Sequence, residues 1–213
     1  MPVNKDREYR NMTMRAMDYD PDEARKVVEG YASTFDEAYT LFDGDGWRYD
    51  EIVDRGAFDA TDMSDVIMQY DHQGRVFARN KNNTLEVIPD EKGLFIRADL
   101  GGTELGRELY DEIRGGYTDK MSFGFTVTGE YEEREKLDDG FVIYTRHIKS
   151  VGKLYDVSAV SIPANDGTSI SVRNLTDGVI ARIQAERLEE ERIELERRKA
   201  ELKAKALLLG GKG

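Results

Sequence analysis

Between residues 27 and 162 the apolar positions come in short runs, four to nine residues long, separated by Gly, Asp, Asn and Pro clusters. Runs of that length, rich in β-branched and aromatic residues, predict strands rather than helices. The pattern assigns strands to Val27–Phe35, Val66–Tyr70, Arg75–Ala78, Thr84–Ile88, Gly93–Leu100, Met121–Thr128, Phe141–Arg146 and Leu154–Ile162. A looser alternation from Glu8 to Met17 predicts a further strand near the start. Arg75–Ala78 and Thr84–Ile88 read as a hairpin around the Asn80–Asn83 turn, and Arg55–Ala60 as the lead into a short helix. One segment has the other period. Leu105, Leu109 and Ile113 lie at i, i+4 and i+8 behind Thr103, a good N-cap, and Gly115-Gly116 stops the run, so a helix is expected there.

After Thr176 the pattern changes. Leu188, Leu195, Leu202 and Leu209 repeat every seven residues, one seam of a coiled coil, but the companion row Ala185, Arg192, Lys199, Ala206 is a poor partner. The expectation is one long charged helix, marginal alone, that either self-associates through its leucine stripe or stands as a solvated single helix with a frayed Gly210-Gly-Lys-Gly213 end. The fold class expected is therefore α+β and mainly β: a small closed or partly open β-barrel with flanking helices, plus a long charged C-terminal helix. Residues 1–24 would be an N-terminal extension adding a strand, 25–175 the β-barrel domain, and 176–213 the helical tail.

Composition narrows the chemistry. The 213 residues carry a net charge of −12, yet acids and bases between Glu186 and Lys205 cancel, seven against seven, so the excess lies in the body. An acidic body argues against nucleic acid as partner, because phosphate binding needs clustered cations. Cysteine is absent, which removes disulfides, thiolate metal ligands and a thiol nucleophile. The N-terminus has no apolar stretch of signal-peptide type and no run reaches membrane-span length, so an intracellular soluble protein without membrane contact is expected. Asp43-Gly-Asp-Gly46 suggests calcium, but Trp47 and Arg48 stand where an EF-hand loop needs a ligand and glycine; a polar turn is expected. Neither a metal nor an organic cofactor is implied.

Two segments offer acyl-transfer chemistry. Tyr70-Asp71-His72-Gln73 ends an apolar run in one of only two histidines, and Lys120-Met-Ser-Phe-Gly-Phe125 sets Ser122 in a strand. Serine is a poor nucleophile until an imidazole takes its proton, and the imidazole needs a third group to orient it. The candidates for that third group are Asp156, a carboxylate interrupting an apolar strand, and His147; Asp71 would point away from His72 if the segment is extended. The amides after Ser122 are candidate oxyanion donors. A metal-dependent nuclease using Asp43, Asp45 and His72 is the remote alternative, and it lacks a basic surface.

The order Gly56-Ala-Phe58, Tyr70-Asp-His72, Gly93-Leu-Phe-Ile96, Met121-Ser-Phe-Gly-Phe125, Leu154-Tyr-Asp-Val-Ser-Ala-Val160 and Pro163-Ala-Asn165 closely resembles the tailed-phage prohead (capsid maturation) proteases of the HK97 type, over roughly residues 25–170. Those are relatives of the herpesvirus capsid assembly protease, a small β-barrel with surrounding helices. The resemblance implies that Ser122 is the nucleophile, His72 the base and Asp156 the third member, since its block matches. His147 is the alternative, because the herpesvirus relatives use a second histidine that follows the serine. It further implies a serine endopeptidase that cleaves the scaffolding segment of the major capsid protein, and itself, inside the assembling procapsid in the bacterial host cytoplasm. A non-enzymatic capsid scaffold with a β-domain and helical tail is the competing reading.

Overall fold

The computed structural model describes residues 7–16, 25–44, 46–161 and 170–210. Ten strands and two helices follow in the order β1 (Glu8–Ala16), β2 (Val27–Thr34), β3 (Tyr39–Gly44), β4 (Trp47–Val53), β5 (Ile67–Tyr70), β6 (Gln73–Arg79), β7 (Leu85–Pro89), β8 (Gly93–Asp99), α1 (Glu104–Arg114), β9 (Lys120–Lys136), β10 (Val142–Val160) and α2 (Ile170–Gly210). The strands pair in the order β3-β4-β10-β9-β1-β2-β8-β7, with β5 on β10 and β6 on β5. The chain divides into two compact units, Met1–Arg173 and Asn174–Gly213.

The mainly β character and the two helices match the expectation; the closed barrel does not. Among the described residues no ladder joins β3 to β7, so the sheet is not closed into a barrel, and β6 forms a further edge beside β5. Four local corrections have physical causes. The acid-rich stretch before Trp47 hid a hairpin, β3–β4, in which Asp50 and Glu51 are buried despite their charge. Arg55–Ala60 forms successive turns and no helix, because Gly56 at φ +88° breaks the αR run. β6 and β7 do not pair with each other; β6 joins β5 and β7 joins β8. Between them Asn80 accepts a bond from the Val66 amide, donates one to the Met63 carbonyl, and Asn83 turns the chain at φ +59°. Finally, the two strands expected at 141–146 and 154–162 are one, β10, whose register shifts repeatedly between Ile148 and Asp156. The expected strand end at Ile162 and the Pro163-Ala-Asn165 block lie outside the described residues.

The helix at 104–114 is as expected. Thr103 caps it, its hydroxyl accepting the Gly106 amide at 3.0 Å. Its buried side is Leu109, Tyr110 and Ile113, while Leu105 faces solvent.

Along β9 the residues Met121, Phe123 and Phe125 all enter the core, the two Phe rings stacked 4.7 Å apart. Strand alternation therefore turns Ser122 and Gly124 to the opposite face. β1 is tied to the sheet by a buried ionic cluster. Arg10 grips Glu51 on β4 at 2.5 Å and Glu8 at 2.8 Å, and Arg146 on β10 bonds Glu8 at 2.7 Å, Glu51 at 2.9 Å and Glu130 at 2.7 Å. Burial pulls the Glu8 carboxyl upward, but the bond from Arg146 and the charges of both arginines outweigh it and hold the carboxyl below its ordinary value.

Candidate active site

Three adjacent strands, β5, β10 and β9, carry the site. β5 runs parallel to β10 with Tyr70 beside Ala159, and the Asp71 amide continues the ladder to the Ala159 carbonyl at 2.8 Å. The chain then reverses in two residues, Asp71 and His72, since Tyr70 pairs with Gln73 on β6. Both turn residues are left-handed, φ +48° and +57°, the type I′ geometry that suits a two-residue hairpin. Asp and His tolerate this region better than most residues, but two in succession are strained. The Asp71 carboxylate offsets the strain by accepting from the Ser161 amide (2.8 Å) and the Ser161 hydroxyl (2.9 Å), so the turn is clamped to the end of β10. The segment is thus not extended, the condition on which Asp71 would point away from His72; its carboxylate is engaged with Ser161.

The clamp presents the His72 ring to Asp156, Nδ1 to Oδ1 at 2.5 Å. A carboxylate only accepts, so Nδ1 carries the hydrogen and Nε2 becomes the ring's acceptor. Asp156 reaches this face through a local irregularity. Leu154 and Val157 are both in the core, and the register shift between Leu154 and Asp156 puts Asp156 on the side opposite Leu154. Bulges of this kind re-aim side chains next to active sites. Ser158, two residues on, shares the face and donates its hydroxyl hydrogen to the same Oδ1 at 2.7 Å.

Ser122 lies directly opposite Ser158 in the antiparallel ladder. Cross-strand partners project to one face, with Cβ atoms roughly 4.5–5.5 Å apart. One face therefore holds, across three strands, His72, Asp156, Ser158 and Ser122. Ser122 is only 1% exposed, and its Oγ has no hydrogen-bond partner among the described residues. Catalytic hydrogen bonds are often unmade in the free enzyme and tighten on binding. Between Met121 and Gly124, β9 is flanked by β1 on one side and β10 on the other, so the amides after Ser122 are drawn into two ladders.

His147 lies elsewhere. It stands nine residues before Asp156 on β10, between Ile52 of β4 and Tyr131 of β9, roughly 30 Å of extended chain away. Its Nδ1 meets Asp54 at 2.9 Å and its ring stacks on Tyr131 at 4.5 Å. The Lys149 and His147 bonds hold the Asp54 carboxyl below its ordinary value against the upward pull of burial. Asp43 sits on β3 beside Arg48 and apart from His72; Asp45 is outside the described residues. Among the described residues no three His, Asp or Glu side chains are grouped to hold a metal ion.

Three contributors escaped the sequence reading. Ser158 was only part of a matching block, and the Asp71–Ser161 clamp depends on a turn type that Asp-His does not announce. Arg7 lies 3.7 Å from Asp156 Oδ2 and covers the Tyr155 ring, also at 3.7 Å. No local pattern marked it.

A carboxylate-bound imidazole on the same face as a buried serine hydroxyl is the set of groups that hydrolytic acyl transfer by serine requires. The family model described as Caudovirus prohead serine protease matches residues 10–179, and the chain belongs to that family. The prohead protease of Enterobacteria phage HK97 is 30% identical over 158 residues, which cover 72% of this chain and 62% of that protein; the chain thus spans under two thirds of that relative's length. A solved structure of the bacteriophage T4 capsid assembly protease aligns over 72% of this chain and 96% of its own, with a TM-score of 0.42 and 11% identity.

Proposed function

We propose that the protein is a serine endopeptidase of phage prohead maturation, with Ser122 as nucleophile, His72 as general base and Asp156 as the group that orients the base. The reading is carried by one observation, the 2.5 Å bond between His72 and Asp156 on the face that Ser122 shares. Ser122 Oγ attacks the scissile carbonyl carbon and His72 Nε2 takes its proton. The tetrahedral intermediate collapses as His72 returns that proton to the leaving amine, and water then hydrolyses the acyl-enzyme by the same exchange in reverse. General acid–base assistance of this kind contributes roughly 10²–10⁴-fold.

Membership of the family supports the major capsid protein's scaffolding segment, and the protease's own chain, as substrates, cut inside the procapsid. The helical tail from residue 176 carries the enzyme into the shell. No helix among the described residues is long and apolar enough to cross a membrane.

Co-expression with the cognate capsid protein tests this reading. Wild type should shorten the capsid protein, and a serine-reactive fluorophosphonate should label the protease in assembled particles. Ser122→Ala should abolish both, and truncation at residue 176 should lower incorporation of the protease. Cleavage or labelling that survives Ser122→Ala removes Ser122 as nucleophile. Particles in which the wild type neither cleaves nor labels favour the non-enzymatic scaffold.

A further inference from the structure

The charges of α2 are ordered in a way that a single helix does not explain. Residues 186–196 hold six glutamates and two arginines, whereas residues 197–205 hold five lysines and arginines and one glutamate. Acid-first, base-last order also suits a helix macrodipole, but that effect fades within the first and last turn. Glu186 lies four turns inside a helix that begins at Ile170. Some charges are matched within the helix: Arg182 with Glu186, Arg192 with Glu189 and Glu196, and Arg197 with Glu201. The segregation nevertheless sets like charges four residues apart, Glu186, Glu190 and Glu194 in one half and Lys199 and Lys203 in the other, a spacing that destabilises an isolated helix. Through the same stretch Leu188, Leu195 and Leu202 stand 67%, 53% and 64% exposed at seven-residue intervals.

We propose that α2 pairs antiparallel with α2 of a second copy of this chain, about a two-fold axis at Leu195. Leu188 of each copy then lies near Leu202 of the other, and each acidic half runs along the other's basic half. A parallel pair would bury the same leucines but set six glutamates beside six glutamates, so the charge order selects the antiparallel arrangement. The pair is isologous and closes on itself. Arg192 and Lys199, between the leucines, lay their aliphatic stems over the seam and keep their charges in water. Because the seam is narrow and its charges exposed, the association weakens with added salt.

The absence of cysteine makes the orientation measurable. In a Ser122→Ala background, which keeps the chain uncut and makes the readout independent of catalysis, full-length Leu188→Cys and Leu202→Cys proteins of different tag length are mixed and gently oxidised. A disulfide needs Cα atoms within roughly 7 Å, whereas two Leu188→Cys sites in the antiparallel pair are roughly 21 Å apart along the axis. The expected result is a mixed disulfide well in excess of either self-disulfide, with Leu195→Cys linking to itself. Glu189→Lys/Glu191→Lys, at the positions that flank the seam opposite Lys203 and Arg198 of the other copy, should abolish the mixed product, and adding Arg198→Glu/Lys203→Glu to the same chain should restore it. Predominant Leu188→Cys self-disulfides would mean a parallel pair and overturn the proposal. So would a monomer in sedimentation equilibrium with no crosslink at any site, or crosslinking only to co-expressed capsid protein.

Discussion

Two buried serines face each other across β9 and β10, and replacing them should move stability in opposite directions. Ser122 Oγ has no partner among the described residues, whereas Ser158 Oγ donates to the Asp156 carboxylate at 2.7 Å. A buried hydroxyl without a partner carries an uncompensated desolvation cost of roughly 1–3 kcal/mol. Ser122→Ala removes that oxygen, breaks no bond and leaves a void smaller than a methyl group. A net gain of about 1 kcal/mol follows, which for a chain of this size is a rise in Tm of about 2–4 °C. Ser158→Ala removes a bond to a charged acceptor, a loss of roughly 1.5–3 kcal/mol. Both side chains are essentially inaccessible, so solvation and chain entropy nearly cancel between them. The assay is urea denaturation of wild type and the two variants, followed by circular dichroism. Equal slopes show that the change lies in the native state. If Ser122→Ala is destabilised by as much as Ser158→Ala, the Ser122 hydroxyl is satisfied in the native protein and the picture of a nucleophile held unpaired for its substrate fails. If the expected order holds, the proposed nucleophile is maintained at a cost in stability, the usual trade at a functional site.

Two further predictions rest on the charged groups. Asp156→Asn should lower fluorophosphonate labelling in assembled particles by about 10³–10⁴-fold, because an amide can face His72 with its own hydrogens and favour the wrong tautomer; His147→Ala should leave labelling within about twofold of wild type, and the reverse ranking would transfer the orienting role to His147. The Glu8 carboxyl titrates below its ordinary value, held down against burial by Arg146 and Arg10, so its contribution to stability is complete above about pH 4.5 and is lost as pH falls through the folded value; Glu8→Gln should reduce stability at pH 7 and flatten its fall below about pH 4.5, and an unchanged acid slope would show that the cluster does not govern acid unfolding.

The hydrophobic pattern alone determined much of the secondary structure. Thr103 at the head of a 3.6-residue period and Gly115-Gly116 at its end are local signals, and α1 falls between them. β2, β5 and β8 were legible because short apolar runs between turn residues have little else to become. The order of the blocks around His72, Ser122 and Asp156 likewise pointed to the family before any coordinate was needed. What the sequence could not show was how distant residues answer one another. Asp50 and Glu51 look like loop residues until Arg48, Arg10 and Arg146 are brought against them, so β4 stayed hidden. β10 reads as two strands because its middle, from Ile148 to Asp156, carries Lys149, Gly152 and Lys153 and is held to β9 through repeated register shifts that only the folded sheet reveals.

The site follows the same division. Residue type marked the candidate imidazole, hydroxyl and carboxylate; their placement on one face was decided by a bulge that turns Asp156 away from Leu154, by a two-residue turn that holds His72 at positive φ, and by a register that sets Ser158 opposite Ser122. Periodicity is a property of neighbours along the chain and is written in their order. Register, bulge position and ion pairing depend on which strand lies alongside, and that is settled only when the sheet assembles.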